Sequence, residues 1–119
     1  MLVDTSIWVE HLRHSQLGLI SLLHREDVQC HPFIIGELAC GSIIRRSEIL
    51  QLLRRLPSVP VVENEEVMTF VERHRLMGQG IGWVDVHLLA SAALGTVPLW
   101  SADRRLTAIA RSLRVYGEP

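Results

Sequence analysis

Apolar residues in this chain fall into short blocks alternating with longer stretches of helical spacing. The blocks at residues 2–3, 28–30, 59–62 and 97–100 predict strands. Asp4, Thr5 and Ser6 are helix-starting residues, and Ile7, Trp8, His11 and Leu12 follow them at helical spacing. A second helix over 16–25 turns Leu19, Ile20, Leu22 and Leu23 inward. Pro32 suits the first turn of a third, which carries Phe33, Ile34, Glu37, Leu38 and Gly41. Residues 45–56 are amphipathic and end at Pro57; residues 63–77 form a long helix with an acidic first turn. After the loop 78–82 come helices over 84–94 and 104–113, the strand 97–100 between them, and an edge strand at Val115-Tyr116. Short apolar strands alternating with helices imply a parallel sheet covered on both faces.

The chain's 119 residues bound the answer to one domain, so the expectation is a single three-layer α/β/α unit over 1–119 around a short, mainly parallel sheet. At 48% hydrophobic and 21% charged residues, disorder is excluded. A formal net charge of −1 does not advertise a nucleic-acid partner, although a local patch escapes a whole-chain sum. All 12 basic residues are Arg, which suits bidentate phosphate contact and equally suits a biased genome composition. Cys30 and Cys40 lack the paired spacing of a zinc site and read as core residues. The segment 86–100 is interrupted and too short for a bilayer span, and Asp4 stands where a signal peptide would be apolar. A cytoplasmic, membrane-free protein is expected.

Only four residues are Asp: Asp4, Asp27, Asp85 and Asp103. Asp4 and Asp103 follow short strands, where the ligand crevice of an open parallel sheet lies. Asp85 opens a helix after the glycine-rich loop, and Glu37 shares a helix face with core residues. A carboxylate on such a face is costly without a cation. Each acid has a plainer explanation as well. Asp4, Asp85 and Asp103 stand at helix N-cap positions, and Glu37 could pair with Arg45 or Arg46. Capping accounts neither for acids at strand ends nor for one on an apolar face. Clustered carboxylates raise one another's pKa unless a cation compensates, and oxygen-only ligands suit Mg²⁺ or Mn²⁺. One or two such ions would bind phosphate and acidify a water, so phosphodiester hydrolysis needs no catalytic His or Ser.

The segments Met1-Leu2-Val3-Asp4-Thr5-Ser6-Ile7-Trp8, Gly36-Glu37-Leu38-Ala39-Cys40-Gly41, Asp85-Val86-His87-Leu88-Leu89-Ala90 and Ser101-Ala102-Asp103-Arg104-Arg105-Leu106 resemble, in order and spacing, the motifs of PIN-domain nucleases. Within that family the chain is most similar to the VapC toxins of toxin–antitoxin pairs. The resemblance implies a Mg²⁺- or Mn²⁺-dependent endoribonuclease acting on tRNA or rRNA, a homodimer silenced by a VapB-like antitoxin. By the same resemblance Asp4, Glu37, Asp85 and Asp103 are the catalytic metal ligands. Thr5, Ser6 and Ser101 are the polar residues orienting water or ligands. His31-Pro32 departs from the Ser or Thr that many relatives carry at that helix start, which leaves the cap in question.

Other candidates carry less. His11 and His14 are one turn apart with nothing gathered around them, and His87 lies on a different helix face from Asp85. The loop 78–82 lacks the Lys-Ser/Thr of a phosphate-binding loop and reads as the hinge that positions Asp85. Trp8 and Trp100 read as core residues, with base stacking the alternative. Arg104 and Arg105 are either phosphate contacts or plain surface charge. A receiver-like Mg²⁺-binding signalling domain would need a Lys that this chain lacks, and a catalytically silent PIN-like binding protein would not need all four acids.

Overall fold

The computed structural model describes residues 1–119. Strand β1 (Leu2–Val3) leads into α1 (Thr5–His14) and α2 (Leu17–His24). Helices α3 (Pro32–Cys40), α4 (Arg46–Arg54), α5 (Asn64–His74) and α6 (Trp83–Gly95) follow, then β2 (Leu99–Trp100) and α7 (Arg104–Ser112). β1 and β2 pair in parallel, Leu2 opposite Leu99 and Val3 opposite Trp100. Single parallel bridges extend the ladder on both sides: Leu2 to Gln29 and Cys30 to Ser58 beyond β1, and Leu99 to Tyr116 beyond β2.

Numbered in chain order, the five extended segments therefore lie as 3-2-1-4-5, with β1 and β2 at the centre. That order reverses direction between β1 and β2. In an open parallel sheet such a reversal leaves a crevice beyond the strands' carboxyl ends, because the connections on either side of it run away from each other. The chain belongs to the three-layer α/β/α class: α1, α3 and α4 pack together, α5 packs on α6, and α6 lies against β2.

The strand readings need correction. Residues 59–62 form no strand; only the Val59 N–H donates to the Cys30 carbonyl at 3.0 Å. Pro57 and Pro60 bracket that contact, and proline has no N–H to extend a ladder. Residues 28–30 and Val115-Tyr116 likewise contribute single bridges, and the strand expected from residue 97 pairs only from Leu99. The expected helix over 63–77 stops at His74, where Arg75 turns left-handed with φ 53°.

One apolar core of 26 buried residues joins β1, β2 and the inner faces of every helix. Trp8 and Trp100 belong to it, at 5% and 6% exposure. Core packing is thus the right reading for both. No helix is long and apolar enough to cross a membrane.

Candidate active site

Asp4 lies directly after β1 and is 6% exposed. Its Oδ2 accepts the Ser6 hydroxyl at 2.6 Å, the Ser101 hydroxyl at 2.9 Å and, more weakly, the Ser6 N–H at 3.4 Å. Ser6 and Ser101 also face each other at 3.3 Å. The two serines reach across the switch between β1 and β2, so the reversal of strand order is stitched together by one carboxylate. Ser6 Oγ further accepts the Ala102 N–H, and Ser101 Oγ the Asp103 N–H, each at 3.0 Å.

Asp103 is the N-cap of α7: its Oδ1 accepts the N–H groups of Arg105 and Leu106 at 2.9 and 3.0 Å. Glu37, midway along α3, accepts the Thr5 hydroxyl on Oε1 at 2.6 Å. Two expectations change here. Asp85 is not an N-cap but the third residue of α6; Gly82 holds the cap position and donates its N–H to Asp85 Oδ2 at 3.3 Å. Glu37 is exposed rather than turned into the core. At 100° per residue it falls at the border of the stripe set by Ile34 and Leu38, and its carboxylate meets the Thr5 hydroxyl.

The four acids share a common arrangement. Each has one oxygen held by hydrogen bonds from the protein and one that receives none. None pairs with a cation: the chain's one ion pair joins the N-terminal ammonium to Asp27. The pairing considered for Glu37 does not form, since Arg46 Nε donates instead to the Ala39 carbonyl at 2.9 Å. Burial first, and then the charges of Asp4, Asp103 and Glu37, push the Asp85 carboxyl above its ordinary range against the opposing Gly82 hydrogen bond. Asp4, Asp103 and Glu37 therefore sit close enough for their charges to oppose ionisation of Asp85.

As the side chains stand, no three acidic, His or Cys groups close to direct metal-coordinating distance. A hydrated Mg²⁺ fits such a set, because it keeps several waters and takes only one or two carboxylates directly. The unpartnered oxygens are the right donors for it.

Arg105 crosses from α7 to the glycine loop. A Cβ built on Gly80, whose φ is +80°, would meet the Arg105 Nη1 at 2.7 Å. The absence of a side chain at that position is what lets the guanidinium lie there. Arg104 is exposed at the first residue of α7. His31 settles the question of the α3 cap: its Nδ1 accepts the Phe33 N–H at 3.0 Å in place of a Ser or Thr hydroxyl. Burial and the neighbouring His87 lower its pKa to about 4. His87, 1% exposed, makes no hydrogen bond through either ring nitrogen and packs between Phe33 and Trp83, each at 4.6 Å. Nothing in the apolar periodicity singles out Trp83, which opens α6 one residue ahead of the expected start and is 42% exposed.

A central parallel pair carrying acids at its carboxyl ends, with two further acids brought in from α3 and α6, is the arrangement of a PIN domain. The chain belongs to that family, whose model it matches over residues 1–112. It is 50% identical over 109 residues to Ribonuclease VapC32 of Mycobacterium tuberculosis strain CDC 1551 / Oshkosh, covering 91% of this chain and 88% of that protein. The protein of the same name in strain ATCC 25618 / H37Rv matches to the same extent.

Proposed function

We propose that this protein is the cytoplasmic toxin of a VapBC-type pair: a Mg²⁺- or Mn²⁺-dependent endoribonuclease that hydrolyses phosphodiester bonds in tRNA or rRNA. The observation that carries this reading is that none of Asp4, Glu37, Asp85 and Asp103 forms an ion pair with a basic side chain. Such a set of charges, gathered at the switch point of a PIN fold, is electrostatically completed by a divalent cation. The 50% identity to a ribonuclease supports the choice of RNA.

One or two ions held on the unpartnered carboxylate oxygens would neutralise a phosphate and lower the pKa of a water. The chain's own residues do the rest. Ser6 and Ser101 fix the orientation of Asp4, and Thr5 fixes that of Glu37. Gly82 holds Asp85 at the head of α6. Such supporting hydrogen bonds matter because a ligand displaced by a fraction of an ångström loses binding strength and reactivity. Arg104 and Arg105, which follow Asp103, would take the flanking phosphates of the strand. A VapB-like antitoxin covering this face would silence it, and the working unit is a homodimer.

The test is to map RNA ends after brief incubation with Mg²⁺. Ends carrying 5′-phosphate and 3′-hydroxyl are expected, with no cleavage in excess EDTA or by folded Asp4→Asn and Asp85→Asn proteins. Products with 2′,3′-cyclic phosphates, or full activity in EDTA, would overturn the reading.

A further inference from the structure

An open groove of about 630 Å³ runs along α3, from Pro32 to Cys40, beside the start of α6. Pro32, Phe33, Gly36, Glu37 and Val84 line it with Trp83. Glu37 also belongs to the acidic site, so whatever fills the groove adjoins the phosphate being cut. Trp83 and Asp85 stand two residues apart in the first turn of the same helix.

Trp83 differs from the chain's other tryptophans in being 42% exposed, against 5% for Trp8 and 6% for Trp100. It is nevertheless not loose. Its ring meets the buried His87 edge-on, with centroids 4.6 Å apart and planes at 85°. His87 in turn packs against Phe33, also at 4.6 Å. The result is an aromatic surface with a rigid backing and a wet front, the character of a base-stacking platform.

We propose that Trp83 stacks on an unpaired nucleobase next to the scissile phosphate. This rests on the ribonuclease reading. A base is the occupant that the groove's chemistry selects. It is uncharged where it meets the apolar wall, presents a flat face to Trp83, and hangs from the phosphate chain that the acids engage. A duplexed base offers no such face, because both of its faces are already stacked.

The test uses a ten-nucleotide single-stranded RNA spanning a mapped cleavage site, and the same RNA with the base removed on either side of the scissile phosphate in turn. Wild type should lose about tenfold in kcat/KM, mostly through KM, on one of the two abasic RNAs. Trp83→Ala should lose about tenfold on the intact RNA and nothing further on that abasic one, while Trp83→Phe, which keeps a stacking ring, stays within about threefold of wild type. If Trp83→Ala, folded by circular dichroism, cleaves intact RNA as wild type does, the stacking proposal is wrong. Weakened binding of a protein partner alongside that unchanged cleavage would assign the groove to the protein instead. Wild-type protein that cleaves no RNA at all overturns the ribonuclease reading and the stacking with it.

Discussion

The hydroxyl of Thr5 donates to Glu37 Oε1 at 2.6 Å, so the first residue of α1 orients an acid 32 positions further along the chain. The bond spans two helices that pack together, and it leaves Glu37's second oxygen without a protein partner. Thr5→Val keeps the shape of the side chain and removes the donor. Metal affinity is expected to fall roughly tenfold, in line with other supporting hydrogen bonds around metal ligands. Titrating Mg²⁺ against cleavage rate measures this; an unchanged half-saturation would show that Thr5 does not hold Glu37 for the ion.

Ser101 joins the two central strands through Asp4. It is buried, and Ser101→Ala removes one of two hydroxyl donors to Asp4 Oδ2 together with the acceptor for the Asp103 N–H. Cleavage should drop by about 10- to 100-fold, and unfolding free energy by about 1–3 kcal/mol. Paired activity and urea-denaturation measurements separate the two effects.

Asp85 has a carboxyl raised above its ordinary range, chiefly by burial. Ionising it therefore costs the fold, and without a cation this contribution to stability is lost as pH rises through the raised carboxylate range. A bound divalent ion reverses the sign at neutral pH. At a hundred times its dissociation constant the ion would add about 2.7 kcal/mol, so Tm should rise by several degrees in Mg²⁺ relative to EDTA. Asp85→Asn should melt higher than wild type in EDTA and respond less to Mg²⁺. Equal Mg²⁺ responses would argue against Asp85 as a ligand.

His31 provides a pH signature independent of the acids. Its pKa is lowered to about 4 by burial and by His87. A depressed value means that the unfolded chain binds the proton more readily. The stability due to neutral His31 is thus fully present above about pH 6.5 and is lost as pH falls towards 4. His31→Asn can still cap α3 through its side-chain oxygen. Its Tm should fall less steeply than that of wild type between pH 6.5 and 4; parallel slopes would remove His31 as the source.

The glycine loop allows a controlled comparison. Gly78 and Gly80 both have positive φ, 71° and 80°, so alanine at either should cost roughly 1–2 kcal/mol. Only at Gly80 does the added carbon meet the Arg105 guanidinium; at Gly78 it meets nothing within 4 Å. Gly80→Ala should accordingly lower kcat/KM for RNA well below the Gly78→Ala value at similar Tm. Matching kinetics in the two variants would separate Arg105 from substrate binding.

Much of this molecule was legible along the chain, because its signals are local. Strand-then-acid at Leu2-Val3-Asp4 and at Leu99 to Asp103, the proline opening α3, and the helical spacing of apolar residues all depend on neighbours within a turn or two. They set the α/β class and the four acids of interest. The extent of the short edge segments was not legible: pairing is a relation between distant residues, and the prolines at 57 and 60 leave only a single bridge there. Nor could sequence decide between a capping and a site role for Asp4 and Asp103. Tertiary structure shows that each caps its helix and still keeps one oxygen free. Which side of α3 Glu37 leans to, which of three tryptophans reaches solvent, and the lack of any ion pair to the acids were likewise decided by packing. Helical periodicity fixes a residue's angle on its own helix, whereas exposure and partners depend on what the neighbouring helices cover.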